Sequence, residues 1–426
     1  MAKNQKDFFD ELKPWSKIKN DLLATYLLPY FAKITNTRRN TFYVDCFAGQ
    51  GRFKDGNDGS PFLAVRNREQ ALQSKTNVHG DITLAFIEKE HSAVLRQNLK
   101  AAFPGMPMPE VVEGCFENDL LPLLENHHGE NLFLYVDPFG VKSLQYSILE
   151  AVANCGHFAS IEILMNFNTF GFLRAARSIL ARKERVSDRW DSNGFLEKTA
   201  AVPERETSGG SLKTPEDLTA VAHGEYWIDI IRKYADVPKG FKEAEKELAT
   251  AYRNQLSGLF RYVLKMPIGK TDGSIPEYCM YFMTEHPHGC ILMVDNMMKR
   301  ADDLRTDVQH GGQMSFFSMD VENELVDSAK IRTDLENFLQ RKAAEYPCPQ
   351  RLNVDVLKAR FFAEHGVVCK SGTLNKVLEQ MEAAGKIRVE RNAKAPARPA
   401  TGSARASRSF DTKRQDVRIS WPRTGD

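Results

Sequence analysis

The sequence lacks the features of a membrane protein or of a disulfide-rich secreted protein. No apolar run approaches the ~20 residues that a membrane-spanning helix needs, and the first residues lack the apolar core of a signal peptide. The seven cysteines are scattered without CxxC spacing, and an odd number cannot all pair internally. We therefore expect a cytosolic protein whose cysteines are reduced and mostly structural, with no bound metal.

A strong overall charge and an internal repeat are also missing. The formal net charge of +2 says nothing about partners. The length of 426 residues exceeds that of one typical domain of ~100–200 residues, so we expect at least two domains.

What the sequence does contain is an alternation of apolar, β-rich runs with amphipathic stretches. The predicted strands are 41–46, 82–88, 110–116 (a short strand and turn), 132–136, 160–167, 261–267 and 278–284. Helical patterns between most of them predict a doubly wound, mostly parallel sheet of the Rossmann-like α/β class. The last two strands are expected to form a terminal antiparallel pair.

The remaining segments are predicted to be mainly helical. The expected divisions are a helical lead-in at 1–40, the sheet domain at 41–300 with a helical insertion or lid at 168–258, a helical linker at 301–345 and a small module at 346–426. In that module two helices precede two strands, which is the order of a winged helix-turn-helix.

The first motif with chemical meaning is the turn that follows the first strand. Asp45 ends an apolar run, and Phe47, Ala48, Gly49 and Gly51 follow it. Glycines let the backbone approach a small ligand at the carboxyl edge of a sheet. A tight turn without a ligand is the alternative, but an acid at the end of the next strand favours a cofactor site.

That second acid is Glu88, which ends the strand at 82–88. A carboxylate at this place can accept hydrogen bonds from both hydroxyls of a ribose. Cys115 and Phe116, at the next turn, would line an adenine through backbone hydrogen bonds and stacking, with core packing as the alternative for both. Together these residues predict S-adenosylmethionine (SAM) as the cofactor.

The third motif is Asp137-Pro138-Phe139 at the end of the strand at 132–136. Enzymes that methylate exocyclic amino groups use Asp or Asn before Pro here, so that a carboxylate and a carbonyl accept the N–H groups while an aromatic ring stacks on the base. The aromatic residue usually comes fourth rather than third, and a purely structural strand end is the alternative. Asn166, near the end of the following strand, is interpreted as a surface-loop residue, with a place at the same edge of the sheet as the alternative.

The small module carries a local basic excess. From 386 to 423 there are 11 Lys and Arg against 3 Asp and Glu, a balance of 11 − 3 = +8. Ser371 would cap the second helix of the module. The residues expected to contact nucleic acid, from that helix and the basic hairpin, are Thr373, Asn375, Lys376, Arg388 and Arg391. A protein-binding module or a merely solvated tail is the alternative.

These motifs together resemble the three-Cys-motif partner family of bacteria and phages. Its members share a Tyr/Ile-x-Asp-x-Phe-Ala-Gly-x-Gly segment, a Gly-Ser-Pro and a Phe-x-Asp-Pro-Phe-Gly strand end. The matching segments here are 43–51, 59–61 and 135–140, with Phe86-Ile87-Glu88 between them, and the resemblance covers roughly 15–300. It implies a SAM-dependent methyltransferase fold and a partner with three cysteines and radical-SAM-like character, encoded nearby in mobile or defence regions.

We therefore expect a methyltransferase that acts on an amino group of a nucleic-acid base. One alternative is an accessory subunit that binds SAM or nucleic acid and has little activity alone. A second alternative is a DNA-binding regulator in which the winged helix carries the function.

Overall fold

A computed structural model of the chain describes residues 14–73, 80–184, 212–238, 240–269, 275–309, 328–345, 351–393, 409–410, 412 and 415–421. The chain divides into two compact units. One is formed by Met1–Glu285 with Arg300–Asp320, and the other by His286–Lys299 with Val321–Asp426.

The first unit contains a seven-stranded sheet. Its strands are β1 (Thr41–Asp45), β2 (Ile82–Glu88), β3 (Glu110–Glu113), β4 (Asn131–Val136), β5 (Ser160–Phe167), β6 (Tyr262–Ile268) and β7 (Tyr278–Thr284). The spatial order is β3-β2-β1-β4-β5-β7-β6. Strands β1 to β5 pair in parallel, whereas β7 runs antiparallel to both β5 and β6. The predicted Rossmann-like α/β fold, mostly parallel with a terminal antiparallel pair, is confirmed.

The central strands are continuous apolar runs because both of their faces are covered. Every residue of β1 and of β4 is buried. A strand buried on both faces shows no polar alternation and is bounded only by polar or turn residues. That property explains why the predicted strand bounds agree with the structure to within a residue or two for most strands.

The helices of the first unit lie on both faces of this sheet. Those before β6 are α1 (Pro14–Ile34), α2 (Ser60–Gln73), α3 (Ser92–Ala102), α4 (Phe116–Leu124), α5 (Tyr146–Asn154), α6 (Thr169–Glu184), α7 (Pro215–Ala222), α8 (Tyr226–Tyr234) and α9 (Gly240–Leu256). None of the helices in the described ranges is long and apolar enough to span a bilayer.

The helices that follow β5 share the core of the sheet. Trp227 of α8 and Leu248 of α9 are fully buried in one apolar cluster with Val44, Leu134 and Met165 of the strands. The described part of the region expected to be an insertion or lid is therefore a layer packed on the sheet.

Helix α1 packs on the opposite face through aromatic rings. The ring of Tyr26 lies 5.8 Å from that of Phe133 and 5.0 Å from that of Phe282, measured between centroids. Tyr26 also donates a 2.6 Å hydrogen bond to Glu162 of β5, whose other oxygen accepts one from Thr284 at 3.1 Å. The segment expected to be a lead-in thus forms part of the core of the first unit.

The second unit is built from helices and a three-stranded antiparallel sheet. Its elements are α10 (Pro287–Gln309, of which 287–299 belong to this unit), α11 (Ser328–Glu345), β8 (Leu352–Asn353), α12 (Val354–His365), α13 (Ser371–Ala383), β9 (Arg388–Ala393) and β10 (Gln415–Ser420). The strand order is β8-β10-β9. Phe338 of α11 packs edge-on against Phe361 of α12 at 5.8 Å, so α11 belongs to the core of this unit. The winged-helix assignment stays a prediction.

The start of α13 is stabilised differently from the prediction. The residue preceding the helix, Lys370, makes no side-chain capping bond. Asp295 of α10 instead accepts hydrogen bonds from the N–H of Ser371 at 2.7 Å and from its hydroxyl at 2.6 Å. A carboxylate at a helix N-terminus satisfies an otherwise unpaired N–H group and interacts favourably with the helix dipole.

The buried Glu162 leads to a stability prediction. Burial raises its pKa from 4.5 to about 7, against the opposing effect of hydrogen bonds from Tyr26 and Thr284. The unfolded chain releases this proton at a lower pH than the folded protein, so the wild type loses stability as the pH rises from about 4.5 to 7. Glu162→Gln, which removes the charge, should be more stable than the wild type at pH 8 and close to it near pH 5.

Denaturant midpoints of the first unit at the two pH values measure this difference. Glu125→Gln, at an exposed carboxylate of the same unit, is the control. A Glu162→Gln advantage that is the same at both pH values would contradict the prediction.

Candidate functional site

Polar side chains from four neighbouring strands meet at one edge of the large sheet. Asp45 ends β1, Glu88 ends β2, Asp137 follows β4 directly, and Asn166 lies next to the end of β5. These four strands are parallel and adjacent, so their carboxyl ends share one edge. In folds of this kind, ligands bind in the crevice outside the carboxyl ends of the strands.

Asp45 is fully buried at the centre of this edge. Its Oδ1 accepts a 3.2 Å hydrogen bond from the N–H of Phe47, whereas Oδ2 has no hydrogen-bond partner within the described part of the chain. Burial raises the pKa of Asp45 to about 7. The side chain of Ser60 and the N–H of Phe47 lower this pKa, while the nearby carboxylates of Asp137 and Glu88 raise it further.

The turn after β1 is held by the neighbouring strands. The N–H of Cys46 donates to the carbonyl of Tyr135 at 2.9 Å, and that of Ala48 donates to Ile87 at 3.1 Å. Gly49 and Gly51 have φ angles of 64° and 79°, which side chains rarely allow. The turn therefore needs its glycines for conformational reasons, and their contact with a cofactor stays a prediction.

Glu88 organises the loop around it. Its Oε2 accepts the N–H of Gly49 at 2.7 Å, and its Oε1 accepts those of Glu90 at 2.8 Å and His91 at 3.0 Å. A carboxylate has about four lone-pair sites, so about one is left for a ligand. Glu88 can therefore accept a hydrogen bond from one ribose hydroxyl more readily than from two.

The residues predicted to line an adenine, Cys115 and Phe116, make contacts within the protein. The N–H of Cys115 donates to Asp119 at 2.7 Å. Phe116 is buried at the start of α4, and its ring centroid lies 5.5 Å from that of the half-buried Phe47. Core packing, the alternative for Phe116, describes its present contacts, and the adenine contact of the half-buried Cys115 stays a prediction.

Asp137 is the most heavily bonded carboxylate of the edge. Lys19 of α1 donates to both of its oxygens at 2.7 Å. Asn166 donates its Nδ2 to Oδ1 at 2.8 Å, and the hydroxyl of Tyr135 donates to Oδ2 at 3.3 Å. The surface-loop interpretation of Asn166 is wrong, because Asn166 is buried within β5. The alternative, a place at this edge, is confirmed by its bond to Asp137.

Sequence reasoning missed Lys19 as a residue of this site. The signal was present, because Lys19 lies three and four residues before Leu22 and Leu23 and so falls on the apolar stripe of its helix. A lysine on such a stripe needs a buried partner. The pattern does not say which acid supplies it.

The two residues after Asp137 differ in exposure. Pro138 is buried, whereas Phe139 is 40% exposed and is one of few large apolar side chains in the described ranges with such exposure. The exposed part of this ring lies close to the polar edge along the chain, and its stacking on a base stays a prediction.

In the second unit the residues predicted to contact nucleic acid fall into three groups. Lys376 of α13 and Arg388 of β9 are exposed, and Thr373 and Asn375 are half-buried. Arg391 is committed internally, since its guanidinium donates to both oxygens of Glu382 at 2.7 and 2.5 Å and lies 4.9 Å from the ring centroid of Phe410. Lys376 and Arg388 are therefore the better candidates for phosphate contacts.

The fold and the site define a Rossmann-like α/β domain with an acidic edge at the carboxyl ends of its parallel strands. No protein-family model and no curated protein matches the chain. Among solved structures, the Escherichia coli protein yhhF, provisionally named a methyltransferase, is 19% identical over 34% of this chain and 70% of its own, with a TM-score of 0.22. A cyclopropane-fatty-acyl-phospholipid synthase-like protein from Lactobacillus casei ATCC 334 is 13% identical over 63% of this chain and 91% of its own, with a TM-score of 0.27. These weak likenesses add nothing to what strand order and site geometry show.

The packing of Gly51 yields a prediction with an internal control. A Cβ atom at Gly51 would lie 2.7 Å from both Phe62 and Leu95, whereas one at Gly56, with a similar φ of 86°, would meet nothing within 4 Å. Both alanine variants are destabilised by the left-handed backbone conformation. Gly51→Ala is destabilised by roughly 1–3 kcal/mol more, because its side chain overpacks the core. We expect Gly51→Ala to lower the free energy of unfolding by that much more than Gly56→Ala in chemical denaturation. Equal losses would show that the turn tolerates a side chain.

Proposed function

We propose that this protein is a SAM-dependent methyltransferase. The observation that carries the proposal is the convergence of Asp45, Glu88 and Asp137 at the carboxyl edge of a Rossmann-like sheet, next to a turn with two left-handed glycines. SAM carries an ammonium group and a sulfonium group, and the carboxylates of Asp45 and Glu88 suit a ligand with two positive centres.

One atom of the described residues, Oδ2 of Asp45, is suited to accept a hydrogen bond from such a ligand. Oδ2 of Asp45 is a buried acceptor without a hydrogen bond among the described residues, and a buried acceptor is costly unless a donor reaches it. Asp45 would accept from the ammonium group, and Glu88 would offer its remaining lone pair to a ribose hydroxyl. When bound, SAM supplies a methyl group on a positively charged sulfur.

The acceptor we propose is an amino group of a nucleic-acid base. Asp137 and the carbonyl of Pro138 would accept its N–H groups and orient the nitrogen lone pair, and the exposed ring of Phe139 would stack on the base. A nitrogen that gains a methyl group becomes positively charged and must release a proton. Carboxylates fixed nearby stabilise that developing charge.

The proposal extends to partners. Lys376 and Arg388, two of the exposed basic residues of the second unit, support contact with nucleic-acid phosphates. The resemblance to the three-Cys-motif partner family supports joint action with a three-cysteine, radical-SAM-like protein in defence or mobile elements.

One observation favours a second candidate function, an accessory subunit with little activity of its own. Lys19, Asn166 and Tyr135 together use both oxygens of Asp137. An incoming amino group must therefore displace a donor or share an oxygen with it. If neither occurs, Asp137 is structural, and the chain binds its ligands without transferring a methyl group.

The decisive experiment is transfer of labelled methyl from SAM to DNA, RNA or protein, with and without a three-cysteine partner. We expect label in nucleic acid, and Asp137→Ala should reduce its incorporation at least 100-fold while SAM affinity changes little. The reason is that Asp137 contacts the acceptor rather than the cofactor in this proposal.

Asp58→Ala is the matched control. Asp58 is another ion-paired aspartate near the glycine turn, held by Arg52 at 3.0 Å and Arg66 at 2.7 Å, and its loss should leave incorporation nearly unchanged. Label found only in protein would reject the nucleic-acid acceptor. SAM binding without any label, even with the partner, would favour the accessory function.

Nucleic-acid binding by the second unit has a separate test. Lys376→Glu should weaken binding several-fold at 0.1 M salt and reduce the salt dependence of affinity, because each lost phosphate contact removes about 0.9 from the log–log slope. Lys299→Glu, at an exposed lysine of α10, makes the same charge change on another helix. Fluorescence anisotropy with DNA and RNA duplexes measures both. Equal effects of the two variants would remove α13 from the interface.

A further inference from the structure

The ion pair between Lys19 and Asp137 joins helix α1 to the acidic edge of the sheet. The ammonium of Lys19 lies 2.7 Å from each oxygen of Asp137 and 5.2 Å from the ring centroid of Tyr278. The side chain of Lys19 is only 9% exposed and that of Asp137 20%. Within the described ranges, no other cation lies within ion-pair distance of Asp137.

Asn166 completes the support of this carboxylate. Its amide orientation is determined by Asp137, because turning the amide over would place two oxygens against each other. Nδ2 therefore donates to Oδ1 of Asp137, while Oδ1 of Asn166 is buried without a hydrogen bond among the described residues. Lys19 and Asn166 thus fix Asp137 from two sides, from α1 and from β5.

The charge of Lys19 matters because several carboxylates lie at this edge of the sheet. Asp45 and Glu88 are the other carboxylates of the edge, and Asp137 and Glu88 both act on Asp45. Among the described residues, the phenol groups of Tyr135 and Tyr278 also lie next to the ion pair. Without Lys19, no cation of the described residues would lie within ion-pair distance of Asp137 to offset the effect of its charge on Asp45.

We propose that Lys19 is a positioning residue for methyl transfer, which fixes the carboxylate of Asp137 toward the acceptor and neutralises its charge beside Asp45. This inference rests on the proposed methyltransferase function. Helix α1 would thus contribute a residue to the site, although the motifs at the strand ends do not include this helix.

The first test needs no ligand. Aspartate carboxyl carbons are titrated by ¹³C NMR, and Asp45→Asn assigns the signal of Asp45. In the wild type the pKa of Asp45 is raised to about 7 by burial. In Lys19→Met its titration midpoint should move to higher pH, because the charge of Asp137, which raises the pKa of Asp45, is then no longer offset by its ion pair. Lys19→Arg should restore the wild-type midpoint.

The second test measures methyl transfer by the same variants. We expect Lys19→Met to lower kcat at least tenfold with a smaller change in the KM for the acceptor, and Lys19→Arg to recover most of this loss. Lys17→Met is the matched control, because Lys17 is exposed on the same helix two residues away. Circular dichroism and melting curves verify that each variant is folded.

The outcomes separate this inference from the proposed function. An Asp45 midpoint that stays in place in Lys19→Met, or a kcat equal to that of Lys17→Met, would overturn the role of Lys19. A wild type that binds no SAM in calorimetry would reject the methyltransferase function and the role of Lys19 in it, and the NMR titration would still report whether the charge coupling exists.

Discussion

The burial of carboxylates between helix α1 and the sheet is the constraint on which the rest of the structure depends. A buried charge is costly unless hydrogen-bonded or paired, and α1 supplies a partner for two of them. Tyr26 donates to Glu162 in the middle of the sheet, and Lys19 binds Asp137 at its edge. One helix therefore covers an apolar face and also determines the polar geometry of the strand ends.

Much of the fold could be predicted from the sequence because its central strands are buried on both faces. Continuous apolar runs such as β4, each ending in a polar residue, identify both the strands and the edge where the acids meet. Strand β8 was missed, because its two residues are too few to show a pattern. Local periodicity predicts elements well and very short pairings poorly.

The site was predicted less completely, for a physical reason. Motifs report residues that are close in sequence, such as Asp137 and Pro138, but an ion pair joins groups that only the folded chain brings together. Lys19 and Asp137 are such a pair, and so are Arg391 and Glu382, whose bond withdraws Arg391 from the surface where it was expected. Glu88 shows the same limit, since three backbone N–H groups already occupy its carboxylate.

The bonds between Asp295 and Ser371 have a consequence for how this sequence can change over time. The N-terminus of α13 is capped by a carboxylate from a helix far away in the chain. A substitution at either position therefore affects the hydrogen bonds of the other. A replacement at 295 without a hydrogen-bond acceptor would leave the N–H of Ser371 without this partner. Such a replacement would be retained mainly in lineages where a local Ser, Thr, Asp or Asn had already taken over at position 370. The two segments are thus expected to co-vary among relatives of this protein.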